Sequence, residues 1–227
     1  AIRTPGLGAG RLAWVNALQV SIGMLLPVAT AATSLAEERV RGTLDVLMTT
    51  TLTTREVVVG KWLGAFRMVP ALAVLPTLVV VLGGAGRPHQ AAIVLATASF
   101  VLVCGAAVTG LGLLAATLCD RPGRALAVTV SIYLLVTVGW LCAGGFRSGP
   151  RQDGWLMASP FFFAGQLAAD LGGTGSTLDH LGWAAWWLAV YLAAAIAFGL
   201  ATLAAFDRRL GRAGGRATGF GRRRPGA

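Results

Sequence analysis

Five long apolar runs, at residues 12–34, 62–84, 91–118, 125–146 and 183–206, constrain this chain more than any other feature. Each reaches the roughly 20 residues that a helix needs to cross the hydrocarbon core of a bilayer. Lipid offers no partner for a free N–H or C=O, so each crossing segment must satisfy its own backbone and is expected to be helical. The expected fold is an all-α membrane protein, a bundle of five transmembrane helices. Composition agrees: 56% of the 227 residues are hydrophobic and 12% are charged, about half the charged fraction of a soluble domain. Residues 1–206 form one transmembrane domain on this reading, and 207–227 form a basic tail.

The formal net charge of +10 would first suggest nucleic acid. Most of the basic residues lie between or beyond the apolar runs, however, so membrane topology accounts for them and nucleic-acid binding is set aside. With an odd number of spans, one face carries Arg39, Arg41, Arg55, Lys61, Arg121, Arg124 and the arginines of the tail, and the other carries Arg3, Arg11, Arg87, Arg147 and Arg151. The positive-inside rule makes the first face cytoplasmic, tail included. Arg67 falls inside the second run near its cytoplasmic end, where snorkelling to the headgroups explains it. Trp14, Trp140, Trp183, Trp186 and Trp187 gather near outer ends and Trp62 near an inner end, as interfacial rings do, although Trp186 and Trp187 could pack between helices instead. Pro27, Pro70 and Pro76 lie within spans and should bend them. Gly105, Ala106, Gly110 and Gly112 give the third span a surface for close helix contact. Cys104, Cys119 and Cys142 have neither metal nor redox spacing and read as small packing residues.

Residues 35–61 differ in character, being charged and threonine-rich. Ser34 followed by Glu37 has capping-box spacing, which predicts a helix start there. At about 100° per residue, Glu37, Glu38, Arg41 and Asp45 share one stripe, with Val40, Leu44 and Leu47 beside it: a short amphipathic helix at the membrane surface. Thr53 and Glu56 repeat the capping spacing, so a second helix should run through Gly60 and Lys61 into the next span. The result is a helix–break–helix elbow that enters and leaves at one face. On the other face, residues 155–169 are apolar, too short to span and interrupted by Pro160. They read as a re-entrant or interface-lying element, or as a loop packed on the bundle.

The stretch Glu38-Arg39-Val40-Arg41-Gly42-Thr43-Leu44-Asp45 resembles the Glu-Arg-x-x-Gly-Thr-Leu-acidic signature of type-2 ABC transporter permeases. Leu52, Glu56, Gly60 and Lys61 are similar to that family's continuation, with Thr51 where proline is usual and Val40 where an acidic residue is common. The resemblance implies that this segment is the coupling element contacting a separate ABC ATPase. Glu37, Glu38, Arg39, Arg41, Gly42, Thr43 and Asp45 would then face the ATPase, with Leu52, Glu56, Gly60 and Lys61 in the elbow. The family has six spans, and this chain aligns with the second through sixth, which places a first span upstream of Ala1. A second permease half, as homo- or heterodimer, is a further implied partner, beside membrane lipid, in the inner membrane of a bacterium.

The chain has no Gly-x-x-x-x-Gly-Lys-Ser/Thr loop, so no catalytic residue and no cofactor are assigned to it, and ATP and magnesium are expected in the partner ATPase. The function implied is that of an exporter permease whose cargo the residues do not specify. Two alternatives remain. A membrane-embedded enzyme would need ionisable groups within the bundle, where His89 and His180 fall in outer connections and Asn16 and Gln19 suit helix-to-helix hydrogen bonding. A non-transporting scaffold could hold anionic lipid with its Arg-rich tail.

Overall fold

The computed structural model describes residues 5–40, 54–83, 89–119, 121–145, 152–171 and 177–209. Every regular element among them is a helix: α1 (Pro5–Gly23), α2 (Leu25–Val40), α3 (Thr54–Phe66), α4 (Met68–Gly83), α5 (Gln90–Leu118), α6 (Pro122–Leu134), a π-helical turn (Leu135–Gly139), α7 (Trp140–Gly145), α8 (Gln152–Leu156), α9 (Pro160–Asp170) and α10 (Thr177–Arg209). Among the described residues, five stretches are long and apolar enough to cross a membrane: Gly10–Ser34, Arg55–Gly83, Gln90–Leu118, Pro122–Cys142 and Leu178–Phe206.

Two of these stretches are interrupted by a single residue, and proline supplies the reason. Met24 separates α1 from α2 three residues before Pro27, and Arg67 separates α3 from α4 three residues before Pro70. Proline has no N–H to offer the carbonyl four residues back, here Gly23 and Phe66, and its ring crowds that carbonyl. The backbone bonds Met24 N to Val20 O (3.0 Å) and Arg67 N to Leu63 O (3.0 Å) keep the chain helical up to each break. Pro76, buried inside α4, produces no interruption.

The expected helix start at Ser34 is not found. α2 runs through it from Leu25 to Val40, and the Ser34 hydroxyl donates to the Ala31 carbonyl at 3.0 Å. Capping-box spacing signals a start only where the preceding backbone is not already helical. Here an apolar span delivers the chain in helical form, and the serine bonds back into its own turn.

The third span, α5, is the hub. A Cβ added at Gly105 would meet Val69 of α4, one at Gly110 would meet Phe198 of α10 at 3.1 Å, and one at Gly112 would meet Ala31 of α2 at 2.7 Å. One helix thus brings three neighbours within backbone range, as small residues in membrane helices permit. The main core joins Val20, Met24, Val28, Val69, Phe100 and Cys104 to Met157, Phe163 and Leu167.

α9 enters that core. Phe163, Ala164, Leu167 and Ala168 are buried, the Phe163 ring stacks on Phe100 with centroids 3.7 Å apart, and α9 packs chiefly against α1. Of the stretch 155–169, Trp155 and Leu156 end α8, residues 157–159 turn, and Pro160 opens α9, which is held against the core. At 11 residues it rises about 16 Å, half of what crossing requires.

Candidate functional site

The residues expected at the ATPase contact and in the elbow divide into three groups. Glu37, Glu38 and Arg39 lie on α2 where it leaves the first span. Arg41, Gly42, Thr43 and Asp45, together with Leu52 of the elbow, lie outside the described residues. Glu56, Gly60 and Lys61 lie on α3, Glu56 in its first turn, where a carboxylate is favoured by the helix dipole. Glu56 and Gly60 are exposed and Lys61 is half-buried.

α3 is firmly seated. Val58 and Ala65 are buried with Ala31 of α2, Leu113 and Ala116 of α5 and Phe206 of α10. Trp62 stacks on Phe66 with centroids 4.8 Å apart and planes 7° from parallel. The apolar residues at 58 and 65, two turns apart on one helix face, dictate this seating. The 13-residue helix extends about 20 Å before the break at Arg67. Glu56 in its first turn and Ser34 in the later part of α2 lie side by side, lining one recess.

A cavity of about 470 Å³ opens beside this seat, lined by Thr30 and Ser34 of α2, by Glu56, Gly60, Lys61, Gly64 and Ala65 of α3, and by Arg67 and Met68 at the break. The Thr30 hydroxyl donates to the Leu26 carbonyl at 3.0 Å. With the Ser34 bond described above, both hydroxyls have their protons engaged and their lone pairs left to accept.

The opposite end of the bundle holds a polar group that sequence reasoning missed. His180, near the start of α10, places Nδ1 2.9 Å from both carboxylate oxygens of Asp170, at the end of α9. Both residues are buried, and Gln166 Nε2 donates to Asp170 Oδ1 at 3.4 Å. An ionised carboxylate can only accept, so the pairing requires the proton on Nδ1. The available signal was spacing. An acid and a histidine ten residues apart flank Gly172-Gly173-Thr174-Gly175-Ser176, a segment rich in turn-forming residues.

Further bonds fasten the same region. Ser159 Oγ donates to the Thr137 carbonyl inside the π-helical turn at 2.7 Å, and π turns are a common way for a helix to accommodate such a partner. Asn16 Nδ2 donates to Ala164 O at 3.0 Å, the helix-to-helix bonding expected of it. Trp187 is buried and its indole donates to Gly154 O at 2.8 Å. Trp186, one residue away, is 60% exposed, so packing between helices applies to the first and interfacial placement suits the second. Cys104 is buried in the core, Cys119 is half-buried and Cys142 is exposed.

Five apolar helical stretches around a small-residue hub, with a charged segment joining the first two, define an integral multi-pass α-helical membrane protein. Residues 15–201, well over half of the chain, match the family described as ABC-2 family transporter protein. The chain belongs to that family, and it is a permease, the membrane-spanning component of an ABC transporter. A comparison with curated proteins found no match.

Proposed function

We propose that this chain is one permease half of an ATP-driven exporter in the inner membrane of a bacterium, working with a separate ABC ATPase that binds ATP and magnesium. The ATPase docks on the segment between the first two spans, through Glu37, Glu38, Arg39, Arg41, Gly42, Thr43 and Asp45. Leu52, Glu56, Gly60 and Lys61 form the elbow that receives its movement. This segment and the tail face the cytoplasm, and a second permease half completes the pathway. The family match supports the assignment, and so does the excess of Arg and Lys on that face.

The observation that carries the mechanical reading is the seating of α3. Val58 and Ala65 lock it to α5 and α10, so a push delivered near Glu56 is carried as a rigid displacement toward Arg67 instead of being absorbed locally. Packed helices transmit strain because their interiors are close to incompressible. Direction of transport rests on likeness to the family alone.

The test is charge reversal at Glu38 and Asp45, which should loosen the ATPase and lower the ATP hydrolysis stimulated by the permease. Removing one partner of a close charged pair at an interface costs about 2–5 kcal/mol, which corresponds to at least tenfold in affinity. Unchanged co-purification and unchanged nucleotide-dependent transport in the reversed variant would end this assignment.

A further inference from the structure

We propose that a bound water molecule bridges the first and fourth spans at a buried niche formed by Ser21 of α1, Tyr133 of α6 and Thr137 of the π-helical turn. The starting observation is an exception among buried threonines. Thr97, Thr109, Thr129 and Thr202 each donate to the carbonyl four residues back, at 2.7–2.8 Å, and Thr117 donates to Leu114 O at 2.7 Å. Thr137 is just as buried, and its hydroxyl meets no hydrogen-bond partner among the described residues. The backbone supplies the reason. In a π turn the bonds reach five residues back, so the carbonyl that a threonine side chain finds in an α-helix is out of register.

A second orphan lies close by. Ser21 Oγ is also buried without a partner, although Thr30, Thr33 and Ser34, further along the same span, bond back into α2. Both hydroxyls stand beside the phenol of Tyr133, yet neither is in hydrogen-bond geometry with it. Tyr133 donates its one proton to Ser21 O at 2.8 Å, which leaves its oxygen free to accept. Two protons therefore need an acceptor, and one oxygen can take a proton. A single water meets all three demands: it accepts from Ser21 and Thr137 and donates to Tyr133 Oη, the three bonds usual for a buried water. Polar groups that neighbour one another without bonding directly are where such bridging waters sit. The adjoining cavity of about 160 Å³, which also touches Tyr133, is walled by Cys104, Ala107, Val108, Ile132 and Phe198; an apolar cavity of that kind stays dry. On its other side Thr137 is held through its carbonyl, which accepts from Ser159 Oγ at 2.7 Å. With the water in place, one residue of the π turn is fixed to both the first span and the start of α9.

The experiment is X-ray radiolytic hydroxyl labelling of the full chain in lipid nanodiscs, read by mass spectrometry and corrected for intrinsic reactivity, which detects water held against a buried side chain. Tyr133 is 4% exposed and should nevertheless be labelled well above the buried Phe100. Thr137→Val and Ser21→Ala should each lower that labelling several-fold, and Thr137→Ser, which keeps the hydroxyl, should preserve it. Stability gives an independent reading by its sign. Thr137→Val should raise the unfolding equilibrium constant about fivefold, the loss of about one hydrogen bond. A dry, unsatisfied hydroxyl predicts a fall instead, because the isosteric apolar group removes its penalty. Tyr133 labelled no more than Phe100, labelling that Thr137→Val and Ser21→Ala both leave unchanged, or a Thr137→Val chain at least as stable as the parent overturns the proposal. Equal labelling of Cys104 would place the water in the apolar cavity and overturn it as well.

Discussion

Replacing Gly105 with alanine tests the hub directly. The new Cβ would lie 2.8 Å from Cγ2 and 3.1 Å from Cβ of Val69, and closer still to Cγ1. Relaxed carbon–carbon contacts lie at about 3.5–4.0 Å, so the Cγ2 overlap alone is about 0.7 Å. Val69 is fully buried, and a β-branched residue in a helix keeps essentially one rotamer, so it cannot swing both methyls clear. α4 must therefore move away from α5, at an overpacking cost of about 1–3 kcal/mol. Val69→Ala alone should cost on the order of 1 kcal/mol, from lost dispersion contacts. In the double variant Gly105→Ala/Val69→Ala both offending methyls are gone, and the coupling should recover at least about 1 kcal/mol relative to the sum of the single changes. Reversible unfolding in mixed micelles, or steric trapping in bicelles, supplies the three free energies. Val58→Ala, in the separate cluster on α3, is the control and should be additive with Gly105→Ala. A neutral Gly105→Ala, or a double variant additive to within about 0.5 kcal/mol, would refute the close packing of α4 on α5.

Two other substitutions probe different contacts by the same measurement. At Gly112 a Cβ would meet the Ala32 backbone nitrogen at 3.1 Å as well as Ala31 Cβ at 2.7 Å. Gly112→Ala should therefore lose about 1–3 kcal/mol that Ala31→Gly does not restore, and full rescue would show that backbone approach is not the cause. Asp170→Ala leaves a buried His180 nitrogen without its hydrogen-bond partner and should cost about 1–3 kcal/mol, whereas Asp170→Leu/His180→Leu should cost clearly less, because replacing both partners of a buried hydrogen bond by apolar groups leaves no polar atom unsatisfied. Equal losses in both would deny the pair its energetic role.

The spans and their interruptions were legible because the causes are local. Long uncharged runs announce helices, and Pro27 and Pro70 mark breaks three residues upstream without reference to any neighbour. The glycines of the third span announced close contact, though not with which helices. What stayed hidden was non-local. Asn16 meets Ala164 across 148 residues of sequence, and nothing near either residue points to the other. The apolar run at 155–169 gave no sign of whether it would lie on the surface or enter the core, since both environments favour the same side chains. His180 falls in an outer connection by sequence, and only its juxtaposition with Asp170 shows that each satisfies the other. Ser34 misled for the opposite reason: a local signal was overridden by a helix already formed. Of the residues proposed for coupling, Glu56, Gly60 and Lys61 fall on α3, the helix that the Thr53–Glu56 spacing predicts, while Arg41, Gly42, Thr43, Asp45 and Leu52 lie outside the described residues.

The placement of the two breaks follows a common logic. Met24 and Arg67 divide the first two spans into segments on either side of a missing backbone bond, and each segment has its own attachments. On the side of the breaks nearer residues 41–53, α2 and α3 share the cluster of Ala31, Val58, Ala65, Leu113, Ala116 and Phe206. Beyond the breaks, α1 holds α9 through Asn16, and α4 meets α5 at Gly105. A segment that lacks one i-to-i−4 bond bends more readily there than anywhere within an intact helix. Displacement of the α2–α3 pair would therefore concentrate at Met24 and Arg67 and leave the α1–α9 contact in place. The cavity that carries Lys61 and Arg67 spans one of these two points, so its shape is the first to change if the pair moves.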